Sequence, residues 1–560
     1  MTEEKKGSGV LVQAGILAMA SMIVRVIGLL YRAPLTAIIG DEGNGYYGTA
    51  YNIYTIILMV SSYSMPSAIS KLMAQKLAVG EYRNARRVFR CALLYGLLVG
   101  VIGSALLFFG ARFLVPEVAA CVLQVFAPTV FLFGILGSLR GYFQARGSML
   151  QTSISQILEQ LANAVVSIAA AWILMHTLAG SDPTRQAQLG AMGSALGTGA
   201  GVLIALLFML YCFQRNQKQA KEELARDTSG KKERYLSFFR ETVLVITPFM
   251  LSGVIMNLTT ALNQTIYMRI LIGARGMGQT ATTTLYGIFS NKAVVISNIP
   301  ISVATAVSSA IIPGISAAHA RNDEEAARHQ VGNAIRATAL IAIPAAVGLC
   351  VLARPITMLM FPQMESLDLA SSLLSLLAVT VIFYSISTIT NAALQSIGKM
   401  NLPLVSAGIA LAVQTAVLVL LLLFTDLDAQ ALVIVSILYS VMIFVVNQIY
   451  LHRYLRIRQN VRLYYVQPLV CAVLMGIAAR IVYDLIYAAA EPLQNLPKGF
   501  YFRNLAAAAV ALLVAVLVYG YTMVHSRTIT RENLQSIPKG ETIIRLLEKL
   551  RWLPKEVHEL

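Results

Sequence analysis

The chain has 560 residues, of which 57% are hydrophobic and only 13% charged, too little polar surface for a protein of this size to cover itself in water. The formal net charge is +17, but the basic residues fall in short segments between apolar runs. That pattern points to anionic lipid headgroups and retention at the cytoplasmic membrane face, and argues against nucleic acid as a partner.

A membrane-spanning helix needs about 20 mostly apolar residues. Runs of this kind cover 10–39, 45–70, 88–114, 121–143, 152–178, 187–213, 241–272, 280–318, 331–361, 366–395, 402–425, 429–451, 464–489 and 501–524. The expected fold is an all-α integral membrane protein of about fourteen transmembrane helices. Lys5, Lys6 and Ala18-Met19-Ala20 have the flavour of a signal peptide, but the apolar run continues to Ile39. It reads as an uncleaved first helix.

Loop charges orient the set. Lys71, Lys76, Arg83, Arg86 and Arg87 follow the second run, Arg140 and Arg146 the fourth, Arg321 and Arg328 the eighth, and Arg453, Arg456 and Arg458 the twelfth. The alternate connections carry Asp41, Glu42, Glu117, Asp182, Glu365, Asp368, Asp426 and Asp428. No Lys or Arg occurs between Arg32 and Lys71, or between Lys399 and Arg453. This alternation places both termini in the cytoplasm, in a multi-pass protein of the cytoplasmic (inner) membrane.

The chain also repeats itself. Gln144-Ala145-Arg146-Gly147-Ser148-Met149 returns as Gln395-Ser396-Ile397-Gly398-Lys399-Met400, and Ser67-Ala68-Ile69 returns as Ser309-Ala310-Ile311. Helices one to six therefore read as duplicated in seven to twelve. An even number of spans per unit gives two pseudo-symmetric lobes of the same orientation. The resulting division is 1–213 as the N-lobe, 214–240 as a charged cytoplasmic linker, 241–456 as the C-lobe, 457–525 as helices thirteen and fourteen, and 526–560 as an amphipathic cytoplasmic tail.

Ionisable groups at bilayer depth cost about 2.5–3.5 kcal/mol on insertion scales, so they usually face a cavity. Arg25 lies near the middle of the first helix, with Arg32 seven residues on and on the same face. Lys292, beside Asn291, lies inside the eighth helix, and Arg269 near the outer end of the seventh. Ser61 and Ser64 precede Pro66 in the second and suit a hydroxyl-lined wall. Glu159 is the one comparably placed carboxylate. A cavity with these walls is cationic and suits a phosphate-bearing or carboxylate-bearing cargo. The five cysteines are scattered without a Cys-x-x-Cys pair, and the sequence has no phosphate-binding Gly-x-x-x-x-Gly-Lys loop and no His-Glu-x-x-His. Neither a metal site nor a catalytic centre is expected, and no cofactor. Conformational work is expected to draw on the membrane potential, a monovalent cation or the cargo's own gradient.

The run Ser21-Met22-Ile23-Val24-Arg25-Val26-Ile27-Gly28-Leu29-Leu30-Tyr31-Arg32, followed by Ile39-Gly40, resembles the first helix of MurJ-type lipid II flippases and SpoVB-like polysaccharide exporters. So does the stretch from Asn298-Ile299-Pro300 to Pro313-Gly314-Ile315-Ser316. Both groups belong to the multidrug/oligosaccharidyl-lipid/polysaccharide exporter superfamily. The resemblance implies two six-helix lobes around a cationic cavity, a lipid-tail groove on helices thirteen and fourteen, and alternating access. By position, Arg25 matches the family's first-helix arginine, while Arg32 and Lys292 match loosely. The carboxylates of the sodium site reported for some members have no counterpart.

The expected function is a flippase, not an enzyme, for an undecaprenyl-diphosphate-linked cell-wall precursor, lipid II first. A teichoic-acid or capsular-polysaccharide repeat unit is the alternative cargo, and a multidrug antiporter or a cell-wall assembly scaffold a more distant reading. Arg25, Arg32, Arg269, Lys292, Asn291, Ser61 and Ser64 are the candidate substrate-binding residues. Asp41 and Glu42, pairing with Arg269 or Arg275, are the candidate outer gate. Expected partners are the lipid-linked saccharide, membrane lipids and, as candidates, cell-wall synthesis proteins.

Overall fold

The computed structural model describes residues 20, 23–28, 30–59, 65–178, 180, 182–225, 227, 239–240, 243, 258–320, 323–399, 401–457, 459–492, 499–526 and 528. Among them, every extended regular element is a helix. Hydrocarbon demands this, because a helix satisfies its backbone polar groups without water. Twelve helical stretches among the described residues are long and apolar enough to cross a membrane. The chain is an all-α, multi-pass membrane protein.

Two local features account for the difference from the fourteen expected spans. The first two predicted spans run into one another as α1, Ile23–Leu58. They are parted by a single residue, Gly40, at φ 69° and ψ −179°. That backbone geometry suits glycine and strains a residue with a Cβ. Much of the seventh predicted span, and the amphipathic part of the tail, lies outside the described residues.

The remaining helices are α2 (Met65–Ala78), α3 (Tyr82–Leu114), α4 (Glu117–Ala145), α5 (Leu150–Leu178), α6 (Pro183–Ala225), α7 (258–268) and α8 (Gln279–Gly287). They continue as α9 (Val294–Ala320), α10 (Glu324–Val351), α11 (Ala353–Met360), α12 (Leu367–Ser396), α13 (Asn401–Phe424), α14 (Asp428–Leu455), α15 (Gln467–Ala489) and α16 (Gly499–His525). The chain forms two compact units. One is Met1–Asn291 with Val419–Asp428, and the other is Lys292–Leu418 with Ala429–Leu560.

In the first unit, Tyr46, Tyr54, Phe126, Val130 and Leu136 are buried in the core. The Tyr54 and Phe126 rings stack with centroids 4.5 Å apart. Helices α5 and α6 meet along Gly193, Gly197 and Gly201. A Cβ on Gly197 would lie 2.0 Å from Ser167 Oγ and 2.4 Å from its backbone nitrogen. Small residues four apart allow this approach, and packing then replaces the hydrophobic effect that lipid cannot supply. Leu98, Phe109 and Phe113 of α3 stay exposed, as a hydrocarbon-facing surface requires.

The second unit is tied by buried polar links. Asn447 of α14 accepts from Ser406 of α13 at 2.8 Å and donates to Asn391 of α12 at 2.7 Å. Asn504 of α16 accepts from Tyr483 of α15 at 2.8 Å and donates to the Pro355 carbonyl at 3.0 Å. Each joins helices that have no water to bond in the apolar interior.

Candidate functional site

The first unit holds a polar wall made by α1 and α5. Gly28 of α1 faces α5: a Cβ on it would lie 3.2 Å from Gln160 Nε2. Arg25 precedes Gly28 by three residues and Arg32 follows it by four, so all three share a helix face. Arg25 is exposed and Arg32 half-buried. On α5, Gln156, Glu159, Gln160, Asn163 and Ser167 recur at three- and four-residue spacing. Ser167 donates to Asn163 Oδ1 at 2.8 Å, and Thr198 of α6 donates to the same oxygen at 3.5 Å.

Arg140 completes one end of this wall, and corrects the sequence reading. It is not a loop charge following the fourth helix. It lies inside α4, 5% exposed, with Nε on Ser155 Oγ at 2.9 Å and Nη2 on Glu159 Oε2 at 2.7 Å. Glu159 is thus neutralised from α4 and unavailable as a free cavity carboxylate. Glu159→Gln should leave a buried guanidinium without its carboxylate and cost about 3 kcal/mol. The measurement is the thermal midpoint of the purified protein. The double variant Arg140→Met with Glu159→Leu should recover most of the loss, because removing both charges also removes their desolvation cost.

A second constellation joins α1 to α7 and α8. Tyr46 hydrogen-bonds Glu42 and also Thr280, the latter at 3.2 Å. Gln264 of α7 donates to the Thr49 carbonyl at 2.8 Å, and Asn52 donates to Gln264 at 2.8 Å and to the Tyr286 hydroxyl at 3.1 Å. Asn291 donates to the Asn44 carbonyl at 2.7 Å. Glycines make the approach possible. A Cβ on Gly45 would lie 2.5 Å from the Thr283 carbonyl oxygen, and one on Gly48 only 2.0 Å from Asn291 Nδ2.

The gate residues are arranged differently from expectation. Arg275 does not pair with Asp41 or Glu42. It reaches Asp426 at 3.1 Å, Asp428 at 3.2 Å and the Thr425 carbonyl. Glu42 instead accepts from Tyr46 on its own helix, four residues on. Asp41 and Glu42 directly follow the Gly40 break, and Arg269 is exposed. Lys292 does not face an open chamber in this conformation. Its side chain is 1% exposed, with Nζ on Ser366 Oγ at 2.7 Å and 5.8 Å from the centre of the Phe361 ring. Lys292 and Asn291 share a π-helical segment, Ile288–Ala293, and Arg269 opens another, Arg269–Ala274. Such turns re-aim side chains and concentrate at functional sites. Ser61 and Ser64 lie outside the described residues.

The second unit contributes an apolar cavity of about 380 Å³ between α10 and α15, lined by Val347, Val351, Val473, Gly476, Ile477 and Arg480. Arg480 is held by Asp484 at 2.9 Å, one helical turn on.

Residues 10–319, more than half of the chain, match the family model described as polysaccharide biosynthesis protein. The chain belongs to this family. A second model, MatE, matches residues 254–421. The chain is 24% identical over 498 residues to the lipid II flippase MurJ of Bacillus subtilis (strain 168), covering 83% of this chain and 87% of that protein. It is 26% identical over 329 residues to stage V sporulation protein B of the same organism, covering 57% of this chain and 61% of that protein. Among solved structures, lipid II flippase MurJ in an inward closed conformation superposes with a TM-score of 0.65 at 13% identity, over 91% of this chain and 98% of that one. An inward-facing multidrug resistance MATE family transporter gives 0.58 at 18% identity, over 80% of this chain and 99% of that one. The polysaccharide family member described here thus has the fold of the exporter superfamily, as the MurJ-type and SpoVB-like resemblance implied. The multidrug transporters share that fold.

Proposed function

We propose that the protein is a flippase that carries an undecaprenyl-diphosphate-linked cell-wall precursor, lipid II, across the cytoplasmic membrane by alternating access. The observation that carries this reading is the pair Arg25 and Arg32, on the face of α1 that meets the amide-bearing face of α5. Two guanidinium groups at membrane depth, beside neutral hydrogen-bonding side chains, suit a diphosphate followed by sugars. A cationic drug would be repelled there, so the fold shared with multidrug transporters does not extend to their cargo.

The apolar cavity between α10 and α15 fits the same cargo, because an isoprenoid tail needs a hydrocarbon-lined slot. The α8–α1 contact suits the closed position of a gate, and the loop-charge pattern supports an outer side for it. Both termini then lie in the cytoplasm, and the chain works as a carrier driven by the membrane potential or a monovalent cation. The deciding experiment is transfer of labelled lipid II across proteoliposomes with and without an imposed potential. Transfer above protein-free vesicles is expected. Its absence under both conditions would overturn the reading.

A further inference from the structure

We infer that Gln156 and Gln160 of α5 are the residues that read the saccharide of the cargo, an inference that rests on the flippase reading above.

Helix α5 has two faces of opposite character. Ile154, Leu161, Val165 and Trp172 are exposed apolar side chains. At about 100° per residue they fall on one narrow stripe, and Gln156, Glu159, Gln160, Asn163 and Ser167 on a stripe centred about 180° away. The first stripe is what hydrocarbon demands. The second needs either protein partners or water, because an unsatisfied polar group in hydrocarbon costs several kcal/mol.

Partners account for three of its members. Arg140 holds Glu159 at 2.7 Å. Ser167 turns to Asn163 at 2.8 Å and to the Ser194 carbonyl at 3.1 Å, and Asn163 also receives Thr198 at 3.5 Å. Gln156 and Gln160 are different. Among the described residues, Gln156 Oε1 is buried with no hydrogen-bond partner. Gln160 lies opposite Gly28, midway between Arg25 and Arg32 on the facing helix. The two amides are one turn apart and half-buried.

A primary amide offers two donors and an acceptor without charge. That matches sugar hydroxyls and acetamido groups, which present both roles in one neutral ring. It does not match a diphosphate, which needs donors and positive charge. The wall therefore divides the labour: Arg25 and Arg32 take the anionic link, and the glutamines take the ring beside it. A site built to hydrogen-bond a ligand also rejects one lacking those groups, because its own polar atoms are then left unpaired.

The test compares two lipids, undecaprenyl diphosphate carrying a saccharide and undecaprenyl diphosphate alone, by equilibrium binding to the purified full-length protein and by transfer in proteoliposomes. Wild type should bind the saccharide-bearing lipid more tightly. The Gln156→Leu, Gln160→Leu double variant should lose about ten- to a hundredfold in affinity for it, as expected for two hydrogen bonds, and keep its affinity for the bare diphosphate. Gln160→Asn should retain part of the discrimination. Equal loss for both lipids would make the glutamines structural, and equal wild-type binding of both would leave no sugar to read; either result overturns the inference. If wild type discriminates by the sugar yet transfers neither lipid, the flippase reading fails while the amide wall stands as a saccharide site.

Discussion

Arg25→Ala should abolish rescue of a flippase-depleted strain and cut initial lipid transfer in proteoliposomes by about a hundredfold, while the protein still inserts and purifies normally. The two halves of this expectation have separate grounds. Arg25 is exposed on α1, so its removal takes little from the packing. On the flippase reading, however, its charge stands at membrane depth, where a charge-assisted bond to a phosphate contributes about 1.5–3 kcal/mol. Losing that also raises the cost of drawing the diphosphate out of the headgroup region. Arg25→Lys keeps the charge but loses the planar fork, and should fall between wild type and Arg25→Ala. Normal rescue and normal transfer by Arg25→Ala would remove this residue from the mechanism.

The spans were the most legible part of the chain, because a run of about 20 apolar residues has few other uses. The break between the first two spans was less so. Asp41 and Glu42 suggest a loop, yet the structure turns at Gly40 alone, a change in φ that hydropathy does not register. Charges were easier to find than to pair. Arg275 looked like a partner for Asp41 or Glu42, but its carboxylates, Asp426 and Asp428, come from a distant segment. Arg140 sits five residues from the end of its helix, close to Arg146, and only the three-dimensional contacts with Glu159 and Ser155 distinguish it from a loop charge.

The amide face of α5 shows the opposite error. Its three- and four-residue spacing stands in the sequence from Gln156 to Ser167. Its members are mostly neutral and so stand out less in a sequence than a buried charge, although a neutral amide in hydrocarbon raises the same question of what satisfies it. Lys292 was legible as a buried cation, and its position inside the eighth predicted span is as read. Its partner Ser366 was not, since it comes from beyond α11, and no periodicity links the two.

Gly48→Val should separate α1 from α8 and expose the residues beneath that contact. The β-carbon would lie 2.0 Å from Asn291 Nδ2, so valine must displace the side chain that bonds the Asn44 carbonyl. Gly45 already brings the two backbones together, and its Cβ position is 2.5 Å from the Thr283 carbonyl oxygen, so the helices have no slack to absorb a larger neighbour. Overpacking of this kind costs about 1–3 kcal/mol, enough to shift a two-state contact about 5- to 150-fold. The penalty falls only on the closed arrangement. The readout is a cysteine placed at Asn52, which is half-buried in the contact and bonds Gln264 and Tyr286 across it, in a background with the five native cysteines replaced. On the flippase reading, Gly48→Val should raise its labelling by a membrane-impermeant maleimide added from outside by at least about fivefold, and should lower transfer, because a carrier that cannot close its outer side cannot complete a cycle. Unchanged labelling together with unchanged transfer would mean that the contact is ordinary packing, and that the gate lies elsewhere along the chain.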